Sequence, residues 1–174
     1  SQKRYIPQVD DSVIGIVTNR MGESFEVDIN GPSRATLAMT SFEGATRRNR
    51  PNVKIGALVY ARVISSDRDL DPELSCVDAH GKSSGFGALT EGYMFSCTTG
   101  LARVLLSSPP CPILVALGGH LSFEIAVGLN GRAWVNSPEP TTTILVSNAI
   151  LNSEFITAKQ AEIMVNTLLS HVVR

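Results

Sequence analysis

The chain has 174 residues, 43% of them hydrophobic and 18% charged, with a formal net charge of −1; this is the profile of a folded globular protein rather than a disordered one. The length allows one large domain or two small ones with adequate cores, and no apolar run approaches the roughly 20 residues that a bilayer span needs. Cys76, Cys97 and Cys111 form no C-x-x-C pair, so buried thiols are expected rather than a disulfide framework or a zinc site.

The opening SQKRYIPQVDD has no apolar signal core, so a nuclear or cytosolic location is expected, and a start at Ser1 rather than Met suggests that an N-terminal piece is missing. Five short segments then read as strands: VIGIVTN (13 to 19), SFEVDI (24 to 29), RATLAM (34 to 39), ALVYARVIS (57 to 65) and LSCVDA (74 to 79). Each is rich in β-branched or aromatic residues and bounded by Gly, Pro, Asn or Asp. Alternation places Phe25, Val27 and Ile29 on one face, with Glu26 and Asp28 on the other. Five strands in about 70 residues without a helix suggest a small closed barrel, with Gly15 as the kink or bulge of its first strand.

Near residue 80 the pattern changes. HGKSSGFG reads as a linker or loop, YMFSCT as a strand, TGLARVLLS as a short helix, and ILVALGG as a helix ending at Gly118. FEIAVG and RAWVNS read as strands around LNG. PEPTTTILVSNAILN reads as a helix with threonines able to cap it, and Thr157 with Gln160 forms a capping-box pattern before the last helix. Ala161, Met164, Val165, Leu168, Leu169 and Val172 fall on one face of that helix and are expected to be core.

The neutral total hides a local asymmetry. Residues 32–66 hold six cations (Arg34, Arg47, Arg48, Arg50, Lys54 and Arg62) against Glu43 alone, a local charge of +5. Pro51 disfavours helix through Asn49 and Arg50, so the cluster Arg47, Arg48, Arg50 and Lys54 belongs on a loop. Guanidinium groups on a barrel loop suit the phosphates of a single strand without reading sequence. A solvated loop, or one docking on an acidic neighbour, is the other reading. Phe42 and Tyr60 are possible stacking surfaces or core, and Arg34 and Arg62 fall on any polar face.

Asp67, Asp69, Asp71 and Glu73 are spaced superficially like a calcium loop, but Pro72 stands where such a loop needs glycine, so a turn is expected and no metal. His80, His120 and His171 are scattered, and neither HExxH nor GxSxG occurs. No catalysis and no cofactor are expected.

In VGLNGRAW, the pair Gly128 and Gly131 has the spacing of the G-x-x-G loop with which KH domains clamp RNA, yet its flanks read as strands. Asn130-Gly131 is a strong two-residue hairpin signal. A structural turn is therefore expected, with Trp134 anchoring it against the barrel.

Together, VIGIVTNRMGESFEVDI, RATL, SFEGATRRNRPNVKIGALVYARVIS and ELSCVD resemble an S1-type RNA-binding barrel. With IAVGLNGRAWV added, the chain resembles the exosome component 3 family, cap subunits of the eukaryotic RNA exosome that join an S1-type domain to a KH domain. The resemblance implies two small domains: an all-β S1-type OB barrel over residues 1–79, then an α+β KH-like domain over 80–174. It further implies a non-catalytic subunit of nucleus, nucleolus and cytoplasm. Such a subunit would stabilise a ring of ribonuclease-PH-like proteins beside other cap subunits and guide single-stranded RNA into the central channel. Neither membrane nor DNA is an implied partner. The alternative is a scaffold that never touches RNA.

Overall fold

The computed structural model describes residues 5–46, 51–67, 69–107 and 111–172. It divides into two compact units. Residues up to Thr90 together with Gly128–Arg132 form the first, and Glu91–Val127 with Ala133–Arg174 form the second.

The first unit is built on β1 (Ser12–Met21), β2 (Ser24–Asp28), β3 (Ala35–Phe42), β4 (Leu58–Ser65), β5 (Glu73–Cys76) and β6 (Gly87–Leu89), arranged β1-β2-β3-β5-β4-β6. The added antiparallel pairing of β1 with β4, Ile14 opposite Tyr60 and Gly15 opposite Val59, closes the first five strands into the barrel expected from their spacing. Alternation fixes which side chains fill it. Val13, Val17, Phe25, Val27, Leu37, Val59, Val63 and Leu74 point inward and are almost fully buried. Each such aliphatic side chain contributes about 1.5–3 kcal/mol through loss of water contact.

Gly15 is not the bulge. The β1–β2 register shifts between Val17 and Asn19, whereas a Cβ on Gly15 would stand 2.2 Å from Val27 Cγ1. Glycine is there because Val27 occupies the space its side chain would need.

The segment read as a linker also differs. Gly87, Ala88 and Leu89 pair antiparallel with Tyr60, Val59 and Leu58, so β6 is a sixth strand and the first unit extends to Thr90, beyond the change of pattern near residue 80. Three residues that include a glycine carry too little β signal to stand out from the preceding GKSSG.

Strand direction places the connections. β3 and β5 are parallel with Phe42 opposite Cys76, so the connections leaving them emerge at one end of the barrel. The β1–β2 turn lies at the same end, where the Met39 N–H donates to the Glu23 carbonyl. The β2–β3 and β4–β5 connections lie at the other.

In the second unit, β7 (Tyr93–Ser96), β9 (Arg132–Asn136) and β8 (Glu124–Gly128) form a sheet with β9 in the middle. Helices α1 (Thr99–Leu105), α2 (Pro112–Gly118), α3 (Pro140–Asn152) and α4 (Ala158–Val172) complete it, with α2, α3 and α4 packed on one another. Thr98 caps α1, its hydroxyl accepting from Leu101 N–H at 3.0 Å. The threonines of α3 do not cap it: Glu139 holds that position without a side-chain bond, Pro140 opens the first turn, and Thr142 and Thr143 are buried. A proline at this position loses no helical hydrogen bond. On α4, Ala161 and Val165 are buried and Met164, Leu168 and Leu169 half-buried, as the stripe requires; the Val172 side chain is outside the described set. Cys76 and Cys111 are buried. Burial pushes the Cys76 thiol up to about 12, so it stays protonated and unreactive. Among the described residues no helix is long and apolar enough to cross a membrane.

Candidate nucleic-acid interface

The cationic cluster read from the sequence falls on the β3–β4 connection. Arg47, Arg48 and Arg50 lie outside the described residues. Lys54, in the described part of that connection, is exposed, and the neighbouring Ile55 is 67% exposed. Phe42, at the end of β3, is half-buried and sets its ring edge-on to Phe25 with centroids 6.5 Å apart, which joins it to the barrel core.

The β5–β6 connection beside it is organised by a carboxylate. Asp78 accepts the N–H groups of His80 at 2.8 Å and Lys82 at 3.0 Å, and the Ser84 hydroxyl. The Ser84 hydroxyl, then the Lys82 and His80 N–H groups, hold its pKa down at about 2, so the clasp is formed throughout the neutral range. Glu43, just past β3, accepts the Ser83 N–H at 2.7 Å and so ties the two connections together. That bond also holds the Glu43 carboxyl below its ordinary value. Lys82 is left exposed. Tyr60 on β4 and Phe86, the residue before β6, pack ring against ring, 5.1 Å between centroids.

The weaker cationic candidates are engaged elsewhere. Arg34 bridges Asp28 at 3.3 Å. Arg62 donates to the Val77 carbonyl at 3.0 and 3.2 Å and lies 3.6 Å from Asp10. In the acidic stretch, the Asp67 carboxylate accepts the Asp69 N–H at 3.0 Å, the hydrogen bond of an Asx turn. No group of three or more His, Cys, Asp or Glu converges among the described residues.

The GLNG segment joins β8 to β9, two strands and not two helices. Its loop has three residues, one more than expected: the Gly131 N–H donates to the Gly128 carbonyl at 3.1 Å, and Gly131 alone takes positive φ, at 79°. This is the type I turn plus left-handed residue of a three-residue hairpin. Asn130 keeps ordinary backbone angles because its side chain is used. It is 1% exposed; its Oδ1 accepts from Ile14 N–H at 3.1 Å and its Nδ2 donates to the carbonyls of Ile14 at 2.8 Å and Ile29 at 3.0 Å. Gly128 is required by closeness: a Cβ there would stand 2.3 Å from Asn130 Oδ1 and 2.7 Å from Ile14 N.

Arg132, which the sequence offered only as a strand residue, completes this latch. It donates to the Ile14 carbonyl at 3.2 Å and the Asp28 carbonyl at 2.8 Å, and its guanidinium lies 3.4 Å from the Asp28 carboxylate. Burial would raise Asp28; the Asn30 N–H and the charges of Arg132 and Arg34 outweigh it and hold it low. The expected anchor, Trp134, does something else: its indole N–H donates to the Glu91 carbonyl at 2.9 Å within the second unit, where Gly92 leaves room for the ring. The glycine pair of a phosphate-gripping loop is therefore spent on holding the hairpin tip.

A closed five-stranded barrel followed by an α+β unit with this motif defines an S1-type domain joined to a KH domain, and the models of those families match here. The S1 domain of exosome complex component RRP40 matches residues 5–87, and a KH domain matches 92–141. The proposed rrp40 exosome component of Dictyostelium discoideum is 48% identical over 92% of this chain and 68% of its own length. The Schizosaccharomyces pombe exosome complex component rrp40 is 47% identical over 91% and 66%, and the human RRP40 is 42% identical over 91% and 58%. The chain belongs to the RRP40 family of exosome complex components, the exosome component 3 family that its motifs resemble. It spans about three fifths to two thirds of the length of these relatives. A crystal structure of a proposed exosome complex RNA-binding protein superimposes with a TM-score of 0.75 over 97% of this chain and 98% of its own, at 21% identity, a likeness of fold.

Proposed function

We propose that this chain is a non-catalytic RNA-binding cap subunit of the RNA exosome. It contacts ribonuclease-PH-like ring subunits and other cap subunits and guides single-stranded RNA toward the central channel. The observation that carries this reading is the pairing of a cation-rich connection with a second connection at the same end of an S1-type barrel. By sequence, the segments 20–23, 43–57 and 77–86 that serve this end hold six cations against three acids, a charge of +3. Segments 28–34 and 65–73, serving the other end, hold two cations against five acids, −3. A phosphate strand is drawn to the first and repelled by the second.

Arg47, Arg48, Arg50 and Lys54 supply charge to phosphates, and Phe42, half-buried at the end of β3, precedes them in the chain. The grip is sequence-blind. Lack of catalysis is supported by the exosome-component names and RNA-binding domain matches of this family. Nucleus and nucleolus, with a cytoplasmic share, is the location this role requires.

The test is the affinity of the full-length protein, in its complex, for a labelled single-stranded oligouridylate. Replacing Arg47, Arg48 and Arg50 together by alanine is expected to weaken binding about 10- to 100-fold near physiological salt and to flatten the salt dependence by about two units. The purely structural reading has one observation in its favour, the use of the GLNG segment as a latch, and it predicts an unchanged affinity.

A further inference from the structure

Resting on that reading, the structure assigns a second wall to the RNA-binding rim. We propose that the β5–β6 connection, through Lys82, contacts the RNA backbone alongside the β3–β4 connection, and that the strand keeps away from the opposite end of the barrel.

Geometry comes first. Parallel β3 and β5, with Phe42 opposite Cys76, launch both connections from one end. The Glu43 carboxylate, bound to the Ser83 N–H at 2.7 Å, pins the second connection to the root of the first. Asp78 takes two N–H groups and a hydroxyl of the 80–84 turn, which fixes the backbone on either side of Lys82 while its ammonium stays in water. An ammonium on a backbone already fixed gives up less entropy on meeting a phosphate than one on a free loop.

Chemistry at the other end excludes the strand. The outward residues of β2 and β5, which flank β3, include Glu26, Asp28 and Glu73, with Thr36 of β3 between Glu26 and Glu73 in register. Among the described cations near Asp28, Arg34 and Arg132 are both held by its carboxylate. No aromatic residue stands among the outward residues Ser24, Glu26, Asp28, Thr36, Ala38 and Thr40 of β2 and β3. Barrels of this class that read bases across that face stack them there. This one has neither the charge nor the rings for it.

Two single-charge deletions decide the matter: Lys82→Ala at the proposed rim, and Arg34→Ala at the opposite end, where the guanidinium is already bridged to Asp28. In the full-length protein, with a labelled oligouridylate, Lys82→Ala is expected to weaken binding about three- to tenfold and to flatten the salt slope by about 0.7. Lys82→Arg is expected to retain wild-type affinity, and Arg34→Ala to change it less than twofold. An unchanged affinity for Lys82→Ala, or an equal loss for Arg34→Ala, overturns the proposal. If that happens while the Arg47, Arg48, Arg50 substitution still weakens binding, only the second wall falls. If wild-type protein binds no RNA, the RNA-binding reading falls and the wall with it.

Discussion

Asn130 is a buried amide whose three hydrogen bonds all go to backbone groups of Ile14 and Ile29. Removing it leaves buried donors and acceptors without partners, each costing about 1–3 kcal/mol. Asn130→Ala is therefore expected to destabilise the chain by at least about 2 kcal/mol in denaturant unfolding. Gly128→Ala is expected to cost about 1–3 kcal/mol by overpacking against Asn130 Oδ1 and Ile14 N. Both variants are expected to leave RNA affinity unchanged as long as they are folded, because the latch uses its polar groups internally. A loss of affinity in folded Gly128→Ala would return the motif to the role of an RNA clamp. The sequence showed that an Asn-Gly pair turns the chain, yet not that the asparagine would be buried. Its partners are main-chain groups more than 100 positions away, and main-chain partners leave no trace in residue identity.

Among the elements, legibility follows the strength of the local pattern. Barrel strands β2, β3 and β4 stand out because they alternate cleanly, and β1 and β5 because they too are bracketed by turn residues. Strand β6 does not, since its pairing with β4 is set by closure of the sheet and not by its own three residues. Helix α4 is read from both ends of its logic. The Thr157 N–H donates to Gln160 Oε1 at 2.9 Å, and the Gln160 N–H to Thr157 Oγ1 at 3.1 Å, the reciprocal bonds of a capping box. Thr157→Ala is expected to cost about 0.5–2 kcal/mol, seen as a lower thermal midpoint and faster hydrogen exchange at the Gln160 amide. Protection of that amide equal to wild type would show that the cap contributes nothing. The cations of the β3–β4 connection were legible in the sequence. Its neighbour, the β5–β6 connection, was not, because Glu43 and Ser83 meet only through the parallel pairing of β3 and β5.

For the whole molecule, a net charge of −1 misdescribes the surface an RNA strand would meet. By sequence, the charge of the first unit divides between two connections: segment 43–57, between β3 and β4, carries +3, and segment 65–73, between β4 and β5, carries −3, while segments 20–23, 28–34 and 77–86 are each neutral. On the proposed reading, this charge division orients an anionic strand before contact, and its contribution falls steeply as salt rises. The account is tested most directly by ultraviolet crosslinking of 4-thiouridine-labelled single-stranded RNA to the full-length protein in its complex, with the linked residues mapped by mass spectrometry. Crosslinks confined to residues 42–57 and 77–86 are the expected result. Crosslinks concentrated on residues 24–36 or 66–73, or on the 128–131 turn, would contradict it.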